Sequence, residues 1–193
     1  ENDEKIAAMI HLSDLDDEDK YLVMATEKGI VKRTKLTQYR NIRKTGLIAI
    51  NLREGDRLCA VRLTDGQSSL MLATKKGKAI RFSEDDVRPM GRTARGVRSI
   101  RLRADDEVVT MAACSDDAVI LTISETGYGR RSDVTDYRLQ SRGGKGLTNY
   151  RTEKYGAVAA TIPVTGEEDI IMIASNGIII RIFAGDISTF SRP

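Results

Sequence analysis

The chain has no tryptophan, one histidine, two cysteines and only 5% aromatic residues, and each scarcity excludes a class of function. Without stacking aromatics there is no platform for single-stranded nucleic acid. The lone histidine, His11, sits in an acidic segment and nominates no histidine-based triad. Cys59 and Cys114 have no metal-like spacing and read as buried free thiols, which fits a reducing cytoplasm. No Walker loop, zinc spacing or dinucleotide fingerprint occurs, and Gly127-Tyr128-Gly129 reads as a tight turn rather than a phosphate cradle. No run of about 18 apolar residues is present to span a membrane as a helix. The acidic run Asp14–Asp19 matches no Ca²⁺ loop. Neither a catalytic residue nor a metal site is assigned.

What is present is repetition. Gly-x-x-x-Arg recurs at Gly29–Arg33, Gly77–Arg81, Gly127–Arg131 and Gly177–Arg181. Ten residues after each first glycine stands an apolar or aromatic residue, Tyr39, Val87, Tyr137 and Ile187. A later glycine, Gly46, Gly96 or Gly146, precedes another apolar run. Three registers moving together at a period of about 50 indicate duplicated units of a propeller, array or solenoid.

Within each unit the signals are β. The runs Tyr21–Thr26, Leu70–Thr74, Ala118–Ile123 and Ile170–Ala174 each lead through a glycine turn to a second strand, the pattern of a hairpin. Third strands are expected at Leu47–Leu52, Val97–Leu102 and Leu147–Tyr150, and fourth strands at Arg57–Arg62, Glu107–Ala112 and Ala157–Ile162. Four strands per unit is blade geometry. Lys35–Gln38 and Glu84–Val87 fit single helical turns. The expected blades are 20–66, 67–115, 116–166 and a partial 167–193. Before them, 1–19 reads as the end of a preceding blade, with Lys5–Ile10 as its fourth strand, plus an acidic connector. With no initiator Met and a start in mid-pattern, the chain reads as a piece of a larger protein, incomplete at both ends.

The net charge of +3 conceals a separation: residues 1–19 carry −7 and residues 20–193 carry +10. Three stretches, 28–53, 87–103 and 137–151, contain Arg and Lys and no acid. They recur at one slot of the repeat, so stacking the units lines them into a basic track. The rim cations expected to bind are Lys32, Arg33, Lys35, Arg40, Arg43, Lys44, Arg81, Arg88, Arg92, Arg95, Arg130, Arg131, Arg138 and Arg181. Guanidinium forks match phosphate oxygens. No helix or ribbon presents itself for base readout, so the expected ligand is duplex DNA held by its phosphates and selected by bendability. A protein-interaction scaffold is the alternative; it predicts bases scattered over both faces.

One slot holds Gln140-Ser141-Arg142-Gly143-Gly144-Lys145-Gly146. Its glycines allow close approach of a phosphate to backbone N–H groups, with Arg142 and Lys145 adding charge. An ordinary solvated basic loop is the bland reading of the same residues.

This heptapeptide resembles the box of the C-terminal domain of the DNA gyrase A subunit, Gln-Arg/Lys-Arg-Gly-Gly-Lys-Gly, with Ser141 in the second position. Met24–Thr26, Ile80–Phe82, Gly96–Arg98 and Gly127–Gly129 resemble blades of the same family, and the resemblance covers nearly the whole chain. It implies an all-β β-pinwheel, a propeller-like disc of four-stranded antiparallel blades with duplex DNA around a basic rim. It implies a non-catalytic part of a type II topoisomerase that presents a positively crossed DNA segment, so that the holoenzyme introduces negative supercoils with ATP. The implied partners are DNA, the gyrase B subunit, and the rest of the gyrase A subunit in an A2B2 assembly in the bacterial cytoplasm, at the nucleoid. No cofactor is expected in this piece; ATP and Mg²⁺ belong elsewhere in the holoenzyme, as does the cleaving tyrosine. In the family the principal box sits in the first blade, expected upstream of Glu1. The equivalent domain of topoisomerase IV is the runner-up; that family tends to lack an intact box.

Overall fold

The apolar runs become strands because both faces of each find a hydrophobic neighbour. The structure, a computed structural model, describes residues 6–193; Glu1 to Lys5, counted above in the acidic segment and an expected strand, lie outside the described residues. The strands are β1 (Tyr21–Thr26), β2 (Ile30–Lys35), β3 (Leu58–Thr64), β4 (Ser69–Thr74), β5 (Lys78–Ser83), β6 (Val97–Arg98), β7 (Val108–Cys114), β8 (Val119–Ser124), β9 (Gly129–Asp133), β10 (Leu147–Thr148), β11 (Val158–Val164), β12 (Asp169–Ile173) and β13 (Ile179–Phe183). Four sheets result, in the orders β3-β1-β2-β6, β10-β5-β4-β7, β11-β8-β9 and β12-β13. All strand pairs within them are antiparallel.

Period-two alternation sends side chains to both sides of each sheet. Val23 and Ala25 of β1 join Leu70 and Leu72 of β4 in one core cluster between the first two sheets, with Ile80, Phe82 and Ile100. The other face of β4, Met71 and Ala73, meets Ile120 and Tyr137 between the second and third sheets. The innermost strands β3, β7 and β11 pack on one another, which leaves β6 and β10 at the outer edge.

The two outer strands do not belong to the repeat that precedes them in the same sheet. Val97–Arg98, in the second repeat, pairs with β2 of the first, and Leu147–Thr148, in the third, pairs with β5 of the second. Each four-stranded sheet is therefore built from two consecutive repeats. Leu47–Leu52 forms no strand, against expectation, because the hairpin it would cover is not among the described residues. Ile6–Ile10 is likewise irregular; Ile10, Leu12 and Leu15 instead pack on Leu22, Met24, Leu36 and Tyr39.

The expected helical turns are 3₁₀ turns at Leu36–Tyr39 and Glu84–Asp86, with further copies at Val134–Asp136 and Ala184–Asp186. The residue expected to recur ten after each glycine plugs the core beside them: Tyr39, Val87 and Tyr137 are buried. The arginine of Gly-x-x-x-Arg reaches forward to the next turn. Arg33 Nη1 lies 3.6 Å from Glu84 Oε1 and 3.3 Å from Asp85 Oδ1. Arg81 donates to Val134 O at 3.4 Å and pairs with Asp116. Arg131 donates to Ile187 O at 2.6 Å and Gly185 O at 3.1 Å. These arginines staple one repeat to the next.

Gly77 shows why the turn needs glycine. Its φ is +78°, and a Cβ there would stand 2.3 Å from the carbonyl oxygen of Tyr150, just past the inserted strand β10. Gly127, at φ +85°, has nothing within 4 Å of that position. The left-handed backbone alone costs an alanine about 1–2 kcal/mol. Gly127→Ala is expected to lose that much in a denaturant titration and Gly77→Ala distinctly more; equal losses would contradict the inserted strand. Arg33→Met strips the cation from Glu84, whose side chain is 0% exposed, and is expected to cost about 3–5 kcal/mol. Arg81→Met, whose acidic partner Asp116 is 91% exposed, is expected to cost less in the same titration.

Candidate nucleic-acid interface

The connections between the hairpins and the outer strands carry the acid-free stretches, and they lean on one another in sequence. The first meets the second where Arg92 N donates to Gln38 Oε1 at 3.2 Å. The second meets the third where Arg142 donates from Nε to Asp86 O at 2.8 Å and from Nη1 to Arg98 O at 3.2 Å. The third meets the fourth where Arg192 donates to Asp136 O at 3.1 Å and Thr148 O at 3.0 Å. Each crossing to the outer edge uses the same backbone bond: Met90 N to Arg33 O, Gln140 N to Arg81 O and Phe190 N to Arg131 O, at 2.8 to 2.9 Å.

The cations sort into two populations. Lys35, Arg40, Arg43, Lys44, Arg88, Arg95 and Arg138 are exposed, as are Arg142 and Lys145 of the box. Lys32, Arg33 and Arg81 are buried, which corrects their assignment to the rim: their charged groups are engaged inside the fold. Lys32 Nζ donates to Ala49 O at 2.5 Å and to Arg92 O. Burial, with the Arg92 charge adding to it, pushes its ammonium down to about 8. Arg131 is half-buried and tied to the carbonyls named above, and half-buried Arg130 donates to Phe190 O at 3.0 Å. Arg92 is half-buried. Arg40 and Arg181 are exposed but paired with Asp16 and Asp169.

Sequence reasoning named the stretch 87–103 but did not select Arg98, Arg101 or Arg103 from it. All three are exposed, at or just beyond outer strand β6. Their signal was the absence of acid; what hid them was the expectation of a strand buried inside its own blade.

The box is pinned rather than free. Gln140 N is bonded to Arg81 O, and Gly143 N donates to Ser99 O at 2.6 Å. The Gly143 N–H is therefore engaged by the protein itself, which corrects its reading as a phosphate donor. Gly144 O accepts from Arg101 N at 2.8 Å. Gly146 has φ +69°, and a Cβ there would lie 2.6 Å from Ala79 O; it lets the chain turn into β10. Ser141 is exposed, and Gln140 is half-buried. The box thus holds its cations at a fixed place between two repeats.

No other chemistry is assembled. Among the described residues no group of three or more His, Cys, Asp and Glu side chains is placed to hold a metal ion, and no helix is long and apolar enough to cross a membrane. Burial pushes the thiols of Cys59 and Cys114 up to about 12 and about 11, far from a reactive thiolate.

Three kinds of relative share this arrangement. The family described as "DNA gyrase C-terminal domain, beta-propeller" matches residues 20–65, 68–115 and 118–165. The DNA gyrase A subunit of Staphylococcus aureus (strain NCTC 8325 / PS 47) is 47% identical over 195 residues, covering 100% of this chain and 22% of the relative. The chain therefore spans about a fifth of the length of that relative. Among solved structures, the C-terminal domain of DNA topoisomerase IV superposes with a TM-score of 0.91 at 27% identity, over 99% of this chain and 60% of the other. A DNA gyrase A C-terminal domain gives 0.83 at 28% identity, over 94% and 61%. With the family matched across three successive repeats, the β-pinwheel described above belongs to the DNA gyrase C-terminal domain family.

Proposed function

We propose that this chain binds duplex DNA along its outer edge through the phosphate backbone and bends it, as the wrapping part of a DNA gyrase A subunit. The observation that carries this reading is the unbroken succession of contacts between the basic connections, Gln38 to Arg92 and Asp86 to Arg142. It sets exposed cations from successive repeats side by side on a curved support. Phosphate contacts position a duplex without reading sequence. Bending a site of 20–30 base pairs by 40–90° costs of order 1–6 kcal/mol, which a row of ion pairs can offset. In the holoenzyme the wrap would present a positively crossed segment for strand passage, making supercoiling negative with ATP hydrolysed on the B subunit of an A2B2 assembly. ATP, Mg²⁺ and the cleaving tyrosine would act elsewhere in that enzyme, in the bacterial cytoplasm at the nucleoid. The equivalent domain of topoisomerase IV is the second reading, favoured by the 0.91 superposition; the intact box and the 47% identity to a gyrase A subunit favour the first.

Binding of this chain to linear duplexes of increasing length is expected to lose about 10³–10⁵ in affinity between 50 and 200 mM salt if six to ten phosphates are engaged. A flat salt response would contradict the phosphate track. Energy transfer between duplex ends is expected to rise on binding. Replacing Arg142 and Lys145 together by alanine is expected to reduce that bending more than the affinity. Unchanged bending in the double variant would remove the box from the wrap.

A further inference from the structure

The box adjoins a cleft that the rim residues expected from sequence do not include. It has a volume of about 400 Å³ and is lined by Lys78, Arg101, Arg103, Lys145 and Asp106 over a floor containing Ile100 and Leu102. We propose that this cleft is a subsite for a backbone phosphate of duplex DNA, built jointly by the second and third repeats; it rests on the DNA-binding reading above.

Charge favours an anion there. Four cationic side chains face one carboxylate, and that carboxylate is engaged: Asp106 Oδ1 accepts from the backbone N–H groups of Lys76 at 2.9 Å and Glu107 at 3.0 Å. The apolar floor lowers the local dielectric and so strengthens each attraction. Position is fixed as well. Arg101 is tied to the box by its own N–H to Gly144 O at 2.8 Å, which holds it near Lys145. Lys78 is steered by a bond from Nζ to Thr148 Oγ1 at 3.0 Å. The walls come from different repeats, Lys78, Arg101 and Arg103 from the second and Lys145 from the third, so the subsite exists only while strand β10 is docked on β5.

Arg142 has a different task. Two of its donors bind Asp86 O and Arg98 O, so it straps the box against the preceding connection. Lys145, exposed and with the cleft in front of it, makes the contact. The phosphate load of the box is thus carried by one of its two cations together with arginines outside it.

The test uses the whole chain and a linear duplex over a salt series. Arg101→Ala combined with Lys145→Ala is expected to make the log–log salt slope shallower by about 1.8, at about 0.9 per lost contact. Across 50 to 200 mM, that narrows the affinity loss about tenfold relative to the unmodified chain. Arg57→Ala with Arg62→Ala removes the same charge at innermost strand β3 and is expected to leave the slope unchanged. Arg101→Lys with Lys145→Arg keeps the charges and is expected to retain the slope, which separates lost contact from lost folding. A steep slope in the unmodified chain that the Arg101/Lys145 double variant shares would overturn the subsite while leaving DNA binding intact. A flat slope in the unmodified chain would instead overturn the DNA reading itself. Inorganic phosphate added at constant ionic strength is expected not to displace the duplex; displacement would mark a free-anion site and overturn the assignment.

Discussion

The short antiparallel pairing between one repeat's hairpin and the next repeat's outer strand is the interaction on which the rest of this structure depends. It spans two residues on each side, extended by Ser99 N to Gly29 O and Asn149 N to Gly77 O, both at 2.8 Å. A hairpin alone is marginal in water. Here each is completed by its successor, and Ile100 is buried in the core of the sheet before it. The exchange sets the separation of the repeats, because the connecting stretch must run from one hairpin to the outer edge of the preceding sheet. Its hydrophobic residues go inward at the plug positions, and its cations are left outside. The basic edge is thus a consequence of how the sheets are joined.

The same joining divides the charged residues by task. A buried cation needs a full set of partners, and Arg33, Arg81 and Lys32 find theirs in carboxylates and carbonyls of the following connection. They hold neighbouring repeats at fixed spacing. The exposed cations have few such ties and remain available to a polyanion. Arg142 stands between the two groups, on the surface yet strapped to carbonyls of the second connection. Rigidity on the inside and unpaired charge on the outside fit a surface that bends its ligand, since a flexible track would yield before a duplex of about 150 base pairs persistence length.

Much of this was legible in the sequence. The period of about 50, the glycine hairpins, the turns after the second strand and the recurring plug at Tyr39, Val87 and Tyr137 all follow from local residue chemistry and appear where the pattern puts them. Two things were not legible. Val97–Arg98 has the alternation of a strand, but alternation does not say which hairpin it covers, its own or the one before. Leu47–Leu52 carries a pattern as good and forms no strand, because pairing is a property of the partner as well. The burial of Arg33 and Arg81 was hidden for a related reason. Arginine is ordinarily a surface residue, and only the three-dimensional neighbour, the next repeat's 3₁₀ turn, turns it into a staple. Counting cations therefore located the basic edge correctly in outline while mixing staples with rim.

Charge on this chain is partitioned between an engaged interior set and an available outer set. Lysine modification read by mass spectrometry, with and without a long linear duplex, probes that partition residue by residue. DNA is expected to shield Lys35, Lys44, Lys78 and Lys145. Lys75, paired with Glu107 and Glu125, is expected to react equally in both conditions, and Lys32 in neither. Shielding of Lys75 to the same extent as Lys145, or ready modification of Lys32 in the free protein, would contradict the partition.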